Sequence, residues 1–138
     1  MPYKVSFRDS DGRLETNYYG VLNDEDFLKC ANEKEAIEDL ATRFKISISD
    51  FSAVSEFKLS IEIVKESAFR TKQFFDQYDD RPMLVVLPTD LQFGMGRLWS
   101  AFAGSDDKVK MFRTRDEADA WLMGNVSKCE KKSMESSL

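Results

Sequence analysis

The chain has 138 residues, of which 42% are hydrophobic and 33% are charged, and these proportions are typical of one globular domain with a buried core. The formal net charge is −5, which argues against nucleic acid as a partner, because duplex binding depends on lysine and arginine side chains that neutralise phosphates. The chain has no histidine, and this excludes Ser-His-Asp and Cys-His triads, HExxH zinc sites and facial-triad iron sites. We therefore expect a protein that is not an enzyme and that needs no metal or other cofactor.

The first predicted elements are an antiparallel hairpin and a helix. Residues 3–7 and 14–19 alternate between apolar and polar side chains, as strands do, and residues 9–12 between them suit a tight turn. Asn23 is a good N-cap, and the three acidic residues after it favour the first turn of a helix. The apolar stripe of this helix is predicted to contain Phe27, Cys30, Ile37, Leu40 and Phe44.

A half-buried strand is predicted at residues 45–50. Ile46 and Ile48 point to one face and the polar residues around them point to the other, which is the period of a strand. We expect Asp50 and Ser52 to lie on the loop at the carboxyl end of this strand, where open α/β sheets usually place a ligand or regulatory site. The simplest role for Asp50 is to accept hydrogen bonds from backbone N–H groups around Ser52.

Helices and strands alternate in the second half of the chain. Ser60 is predicted to open a helix, and the continuous apolar run at residues 83–87 is typical of an interior strand that is covered on both faces. A third helix is expected after residues 88–90, followed by a short strand at residues 108–112. The last helix is predicted to start at a cap and to end at a glycine. The candidate caps are Thr114 and Asp116, and the glycine is Gly124.

Residues 1–124 are thus predicted to form one α/β domain with the element order ββαβαβαβα, a mixed sheet of about five strands and about four helices. Residues 125–138 are polar, and we expect a disordered tail there. Cys30 is predicted to be a buried apolar side chain and Cys129 an exposed thiol. Unpaired thiols, the absence of an apolar leader and the lack of a membrane-length apolar run together indicate a cytoplasmic location.

Several segments of the chain resemble a known family, and the element order supports the likeness. The chain resembles the STAS fold of anti-sigma-factor antagonists, and more closely the SpoIIAA-like family, which is described as STAS-like and as related to CRAL-TRIO lipid carriers. The resemblance covers roughly residues 3–124 and implies a small non-catalytic domain that works by binding. The segments are GVLNDEDF at 20–27, ISISDFS at 46–52, residues 81–87, VKMFR at 109–113 and EADAWL at 117–122.

The resemblance implies a serine motif that this chain lacks. STAS antagonists carry an Asp-Ser-Ser-Gly run at the start of the helix after the third strand, and a kinase phosphorylates one of its serines. The equivalent residues 54–60 read VSEFKLS, so the motif is missing, although Ser60 falls near the right place. A phosphate at a helix N-terminus would be electrostatically favoured, but we expect Ser60 to be a plain N-cap. The predicted regulatory loop contains Asp50, Ser52, Ser55 and Ser60.

Residues 91–102 contain more aromatic area than one helix face of a small domain usually hides. A helix that starts near Gly94 would leave Phe93 and Trp99 off its buried stripe. That stripe is predicted to contain Met95, Leu98 and Phe102. Three interpretations stay open: ordinary core packing with one exposed aromatic, a homodimer surface, or the wall of an apolar pocket or membrane-touching lid. Gly94 and Gly96 favour the lid, because interior glycines weaken a helix.

We expect a cytoplasmic binding module without catalysis, which holds a lipophilic small molecule or contacts a membrane surface through an apolar groove. The alternative is a protein-interaction regulator of the anti-sigma-factor-antagonist type, which has a protein partner with or without serine phosphorylation. An enclosed apolar cavity under Trp99 would favour the first of these. The predicted ligand-binding residues are Phe93, Met95, Leu98, Trp99 and Phe102.

Overall fold

The computed structural model of the protein describes residues 2–77, 81–104 and 108–124. Its strands are β1 Tyr3–Arg8, β2 Arg13–Asn23, β3 Ile46–Lys58, β4 Met83–Val86 and β5 Val109–Phe112. Its helices are α1 Asp24–Glu35, α2 Leu40–Arg43, α3 Ile61–Gln77 and α4 Asp90–Ala103, followed by α5 at residues 115–124. The strands form one sheet in the order β1-β2-β3-β4-β5, in which only the β1–β2 pair is antiparallel. The predicted class, mixed sheet and element order are confirmed, and the short α2 is an addition.

The β1–β2 hairpin closes through Gly12, whose φ of +64° lies in the left-handed region that favours glycine. A Cβ atom at this position would stand 2.9 Å from Lys45 Cγ and 3.0 Å from the Arg43 carbonyl oxygen. The Lys45 N–H also donates to the Gly12 carbonyl at 2.7 Å. The turn is therefore in close contact with the segment that leads into β3, and it helps to set where β3 begins.

β3 is more than twice as long as the predicted strand at residues 45–50. Its second half pairs with the second half of β2 through two β-bulges, at each of which β3 has one residue more than β2. Each bulge interrupts the apolar–polar alternation on which the prediction relied. The prediction that Asp50 and Ser52 lie on a loop is therefore wrong, and Ser55 of the predicted regulatory loop also lies within β3.

α1 begins where the sequence predicts, because Asn23 is its N-cap and accepts the Asp26 N–H at 2.9 Å. The helix ends at Glu35, and Asp39, with a φ of +56°, then redirects the chain into α2. The predicted single stripe is therefore wrong beyond Cys30, which is fully buried as expected. Three predicted members of the stripe lie outside α1: Ile37, Leu40 and Phe44.

α5 is capped by Thr114, whose Oγ1 accepts the Glu117 N–H at 3.2 Å, so Thr114 rather than Asp116 is the cap. The predicted tail at residues 125–138, with Cys129, lies outside the described residues. None of the helices in the described ranges combines the length and the apolar character that are needed to cross a bilayer.

α4 begins at Asp90, as the turn residues at 88–90 predict, and one turn earlier than the start near Gly94 from which its buried stripe is predicted. Thr89 and Gln92 form a capping box, in which the Gln92 N–H donates to Thr89 Oγ1 at 3.1 Å and the Thr89 N–H donates to Gln92 Oε1 at 3.4 Å. This cap fixes the start of the helix, so Gly94 and Gly96 lie in its interior.

Helices cover both faces of the sheet. On one face, Ala118 of α5 packs against Ile48, Leu84 and Val86, and all four side chains are fully buried. α1, α3 and α4 lie over the other face, above alternate strand residues such as Val85. α3 and α4 pack against each other, whereas α1 contacts β1 and β2. The space between α1 and the α3–α4 pair is the most informative feature of the fold.

Candidate functional site

An apolar cavity lies between the sheet and the helices α1, α3 and α4. Its volume is about 120 Å³, and it adjoins a second cavity of about 190 Å³ between α1 and α3. Pockets that hold small ligands usually measure roughly 300–1,000 Å³, so the two spaces together approach the lower end of that range. Both cavities are lined by Tyr18, Phe27, Lys34, Ser67, Thr71 and Met83.

Stacked aromatic rings form the wall on the side of β2 and β3. Tyr18 stacks on Phe51 with ring centroids 4.5 Å apart and on Phe27 with centroids 5.8 Å apart, and Phe57 meets Phe51 edge-on at 6.1 Å. The Cys30 thiol donates to Tyr18 Oη at 3.6 Å. Burial raises the pKa of Tyr18 and that of Cys30, so both groups are neutral at pH 7. This wall therefore presents uncharged, mostly apolar surface.

α4 supplies the opposite wall through Met95, Gly96 and Trp99. The Trp99 Nε1–H donates to Ser67 Oγ at 3.1 Å, which connects α4 to α3 at the cavity. A Cβ atom on Gly96 would overlap Leu87 Cδ1, so a larger residue at that position would displace the buried Leu87 side chain or move α4 away from the sheet. The indole of Trp99 is thus held in a fixed position over the cavity.

The structure brings only two of the five predicted ligand-binding residues to this cavity. Met95 and Trp99 line it. Leu98 is half-buried outside the lining. Phe102 is 42% exposed, and the Lys65 ammonium stands 5.2 Å from its ring centroid, so the prediction that Phe102 is buried is wrong. α4 turns the side that carries Met95, Gly96 and Trp99 toward the sheet, and Phe102 lies outside the lining of the cavity. The homodimer surface stays a prediction.

Phe93, the fifth predicted residue, also lies outside the lining. The guanidinium groups of Arg113 and Arg97 stand 4.2 Å and 5.1 Å from its ring centroid. Arg113 in turn donates to Asp90 Oδ1 at 2.9 Å. Phe93 is therefore a half-buried ring that two cations cover, and it contacts the core on its other side.

Sequence reasoning missed Lys34, the only charged residue among the described residues that line the first cavity. It lies in the last turn of α1, four residues after Cys30 and seven after Phe27, and this spacing places all three side chains on one helix face. The residue keeps part of its surface exposed, but burial lowers the pKa of its ammonium group. The helical spacing from Phe27 and Cys30 is the signal that could have identified it.

A second cluster of charges surrounds Asp50 on the opposite face of the sheet. Its Oδ1 accepts the Ser52 N–H at 2.9 Å, as expected from the sequence, and its Oδ2 accepts from Arg115 Nη1 at 3.3 Å. Arg115 also donates to Glu15 and to Asp119. Burial lowers the pKa of Arg115, but the hydrogen bonds to these carboxylates outweigh it and raise the pKa above its usual value. The cluster joins α5 to β2 and β3, and it is separated from the cavity by the sheet.

The geometry of sheet and cavity can be compared with known proteins. No protein-family model matches the chain, and no curated protein matches it. Among solved structures, the chain is similar to the crystal structure of an uncharacterized protein of the DUF3478 family from Shewanella loihica, which is described as having a SpoIIAA-like fold. The TM-score is 0.54 and the identity 16%, and the match covers 87% of this chain and 91% of that chain. The fold of this protein is SpoIIAA-like. The fold that the sequence resemblance implied is thereby confirmed.

In this SpoIIAA-like fold, Ser60 is the serine nearest to the start of the helix after β3. Its N–H and its hydroxyl donate to the two carboxylate oxygens of Asp24 at 2.8 Å and 2.6 Å. Its Oγ accepts the Ile63 N–H at 3.2 Å, so Ser60 is an N-cap, as predicted. Ser52 and Ser55 are exposed on β3. Of the four residues predicted to form a regulatory loop, only Ser60 lies outside the strand.

Proposed function

We propose that the protein is a non-catalytic binding module that holds a lipophilic small molecule in the cavity beneath α4. The supporting observation is the pair of adjoining spaces of about 120 and 190 Å³ that open partly to the surface of a small domain. Folded domains are normally packed to the density of organic crystals, and an apolar void lowers stability. Apolar space of this size next to a few polar groups is the usual form of a small-molecule site.

The walls of the cavity are suited to an apolar body. The rings of Tyr18 and Phe51 and the side chains of Met95 and Val85 offer apolar contact area from several elements. Burying apolar surface contributes roughly 25 cal/mol per Å², so such walls supply affinity without a directional contact. A sulfur-containing side chain such as Met95 also adapts to ligands of different shape.

The alternative function is a protein-interaction regulator with or without serine phosphorylation, and the contacts of Ser60 do not favour its phosphorylated form. The hydroxyl that would carry the phosphate already donates to Asp24 at 2.6 Å. A phosphate with a charge of roughly −1.5 to −2 would face this carboxylate. A kinase-like partner whose complex Ser60→Asp weakens would support the alternative, and a complex that is indifferent to this change would count against it.

Trp99 allows a direct test, because the only other tryptophan, Trp121, lies on the other face of the sheet. In a Trp121→Phe protein, we expect neutral N-phenyl-1-naphthylamine to quench the fluorescence of Trp99 until the site is saturated. Native mass spectrometry should then show one bound probe per chain. Val85→Phe fills the floor of the cavity and should abolish this binding. Val21→Phe, at a β2 position that is 45% exposed, is the matched control and should leave it intact.

Far-ultraviolet circular dichroism establishes that each variant is folded. Absence of saturable binding to the folded Trp121→Phe protein would refute the proposed function. Equal binding to the Val85→Phe and Val21→Phe variants would place the probe elsewhere and would also refute it. Binding to phospholipid vesicles that survives Val85→Phe would favour a membrane surface as the target.

A further inference from the structure

We propose that the ligand of this cavity is an apolar molecule with one carboxylate, and that the Lys34 ammonium is its counter-ion. The inference rests on the proposed function above and names the ligand class of the same site. It is carried by the position of Lys34, by the lack of a counter-ion for it within the described residues, and by the donors around it.

Lys34 lies where the two cavities meet, since it lines both of them. The other described residues that line the first cavity are uncharged. Cys30, one turn earlier on the same face of α1, is fully buried, so this face of the helix points into the domain. A ligand whose apolar body fills the space under Trp99 would therefore place its other end beside the Lys34 ammonium.

Within the described part of the chain, no hydrogen bond or ion pair connects the Lys34 ammonium to a carboxylate. Its neighbour Glu35 is paired with Arg70 at 2.5 Å, whereas the exposed Lys29 on the same helix has Glu25 at 3.3 Å. Burying a cation without a partner is costly. Burial lowers the pKa of the Lys34 ammonium group, and the nearby Glu35 carboxylate offsets this only in part. A bound carboxylate would supply the missing charge.

The count of cations favours a carboxylate over a phosphate head group. Among the described residues, the second cation near the junction is Arg70, which lines the second cavity. It is already paired with Glu35 and also lies 3.4 Å from Asn32 Oδ1. A phosphate with a charge of roughly −1.5 to −2 would exceed the single charge of Lys34, whereas one carboxylate matches it.

Two hydroxyl groups at the same junction can donate to the carboxylate. Ser67 and Thr71 of α3 line both cavities. Ser67 Oγ accepts the Trp99 Nε1–H at 3.1 Å, and a hydroxyl that accepts one hydrogen bond still has its own proton to donate. An ammonium with adjacent hydroxyls is a combination that binds a carboxylate through charge-assisted hydrogen bonds.

Three probes with the same eight-carbon chain and different head groups test the assignment: octanoate, 1-octanol and octylammonium. Titrations use Trp99 fluorescence in the Trp121→Phe protein, with calorimetry as the second measurement. We expect octanoate to bind at least about tenfold more tightly than octanol, since a hydrogen bond to a charged group contributes roughly 1.5–3 kcal/mol. Octylammonium should bind most weakly, because its charge repels that of Lys34.

Two lysine variants on the same helix complete the test. Lys34→Met keeps the length of the side chain and should lower the affinity for octanoate to that for octanol without weakening octanol. Lys29→Met removes an exposed charge from α1 and should change neither affinity.

The outcomes separate the two proposals. Octanol that binds as tightly as octanoate, or Lys34→Met without effect on octanoate, would overturn the role of Lys34 and leave the cavity as a lipophilic site. Octyl phosphate that binds more tightly than octanoate would overturn the single-charge assignment. If none of the probes, N-phenyl-1-naphthylamine included, bound the folded protein, the proposed function and this inference would both fail.

Discussion

Replacing Gly96 by alanine tests how closely α4 approaches the sheet over the cavity. An interior glycine costs a helix about 1 kcal/mol relative to alanine, so glycine-to-alanine changes stabilise a helix where space allows. Gly94 is such a position, because an added Cβ atom would meet nothing within 4 Å. At Gly96 the added atom would overlap Leu87 Cδ1 and stand 3.1 Å from Met111 Sδ. The two glycines should therefore respond in opposite directions.

The expected magnitude follows from the burial of Leu87, which is 3% exposed. An extra methyl group in a packed core costs about 1–3 kcal/mol, and the gain in helix propensity offsets about 1 kcal/mol of this. Gly96→Ala should thus lower the free energy of unfolding by about 0–2 kcal/mol, and Gly94→Ala should raise it by about 0.5–1 kcal/mol. Since Leu87 lines the cavity, its displaced side chain would enter the space and weaken probe binding.

Urea unfolding followed by circular dichroism measures both free energies, and titration with N-phenyl-1-naphthylamine measures the state of the cavity. Gly94→Ala is the matched control for helix propensity, because it lies two residues away on the same helix. A Gly96→Ala protein as stabilised as the Gly94→Ala protein, with unchanged probe affinity, would refute the close approach of α4 and the shape of the cavity derived from it.

Three further changes test contacts outside the cavity. Ser60→Ala removes the N-cap of α3 and should lower the free energy of unfolding, measured with urea, by about 0.5–2 kcal/mol. An unchanged free energy of unfolding would contradict the capping contact. Arg115→Met leaves Asp50 without its cation and should lower the free energy of unfolding by about 1–3 kcal/mol. Probe affinity should not change, because the sheet separates this cluster from the cavity. A weaker probe affinity in the folded variant would contradict that separation. Burial and the hydrogen bond to Glu33 raise the pKa of Tyr3 from 10.0 to about 12. Because the folded pKa exceeds the unfolded one, this contribution to stability is complete below pH 10 and is lost as the pH rises toward 12. Tyr3→Phe should therefore flatten the alkaline decline in the free energy of unfolding between pH 10 and 12, and an identical decline in both proteins would contradict it.

The order of the elements could be predicted because local signals agree with the fold. Three of these signals depend only on near neighbours in the chain: the alternation around Gly12, the cap at Asn23 and the apolar run at residues 83–87. The length of β3 could not be predicted in the same way, since the two bulges against β2 break the alternation and depend on the partner strand. This single error places Asp50 on a loop, whereas it lies within β3 and belongs to an ion cluster between the strands and α5.

The residues of the candidate site also differ in whether local sequence patterns or only the tertiary structure reveal them. Met95 is predicted from its helical spacing with Leu98 and Phe102, and Trp99 from the aromatic area that this stripe leaves uncovered; both line the cavity. Lys34 requires tertiary information: a cavity lies between α1 and α3, and a lysine in phase with Phe27 and Cys30 borders this cavity while part of its surface stays exposed. A binding site formed by the separation of helices leaves little pattern in any one of them. A charged residue at helical spacing from fully buried ones is therefore the sequence feature to examine when such a cavity is suspected.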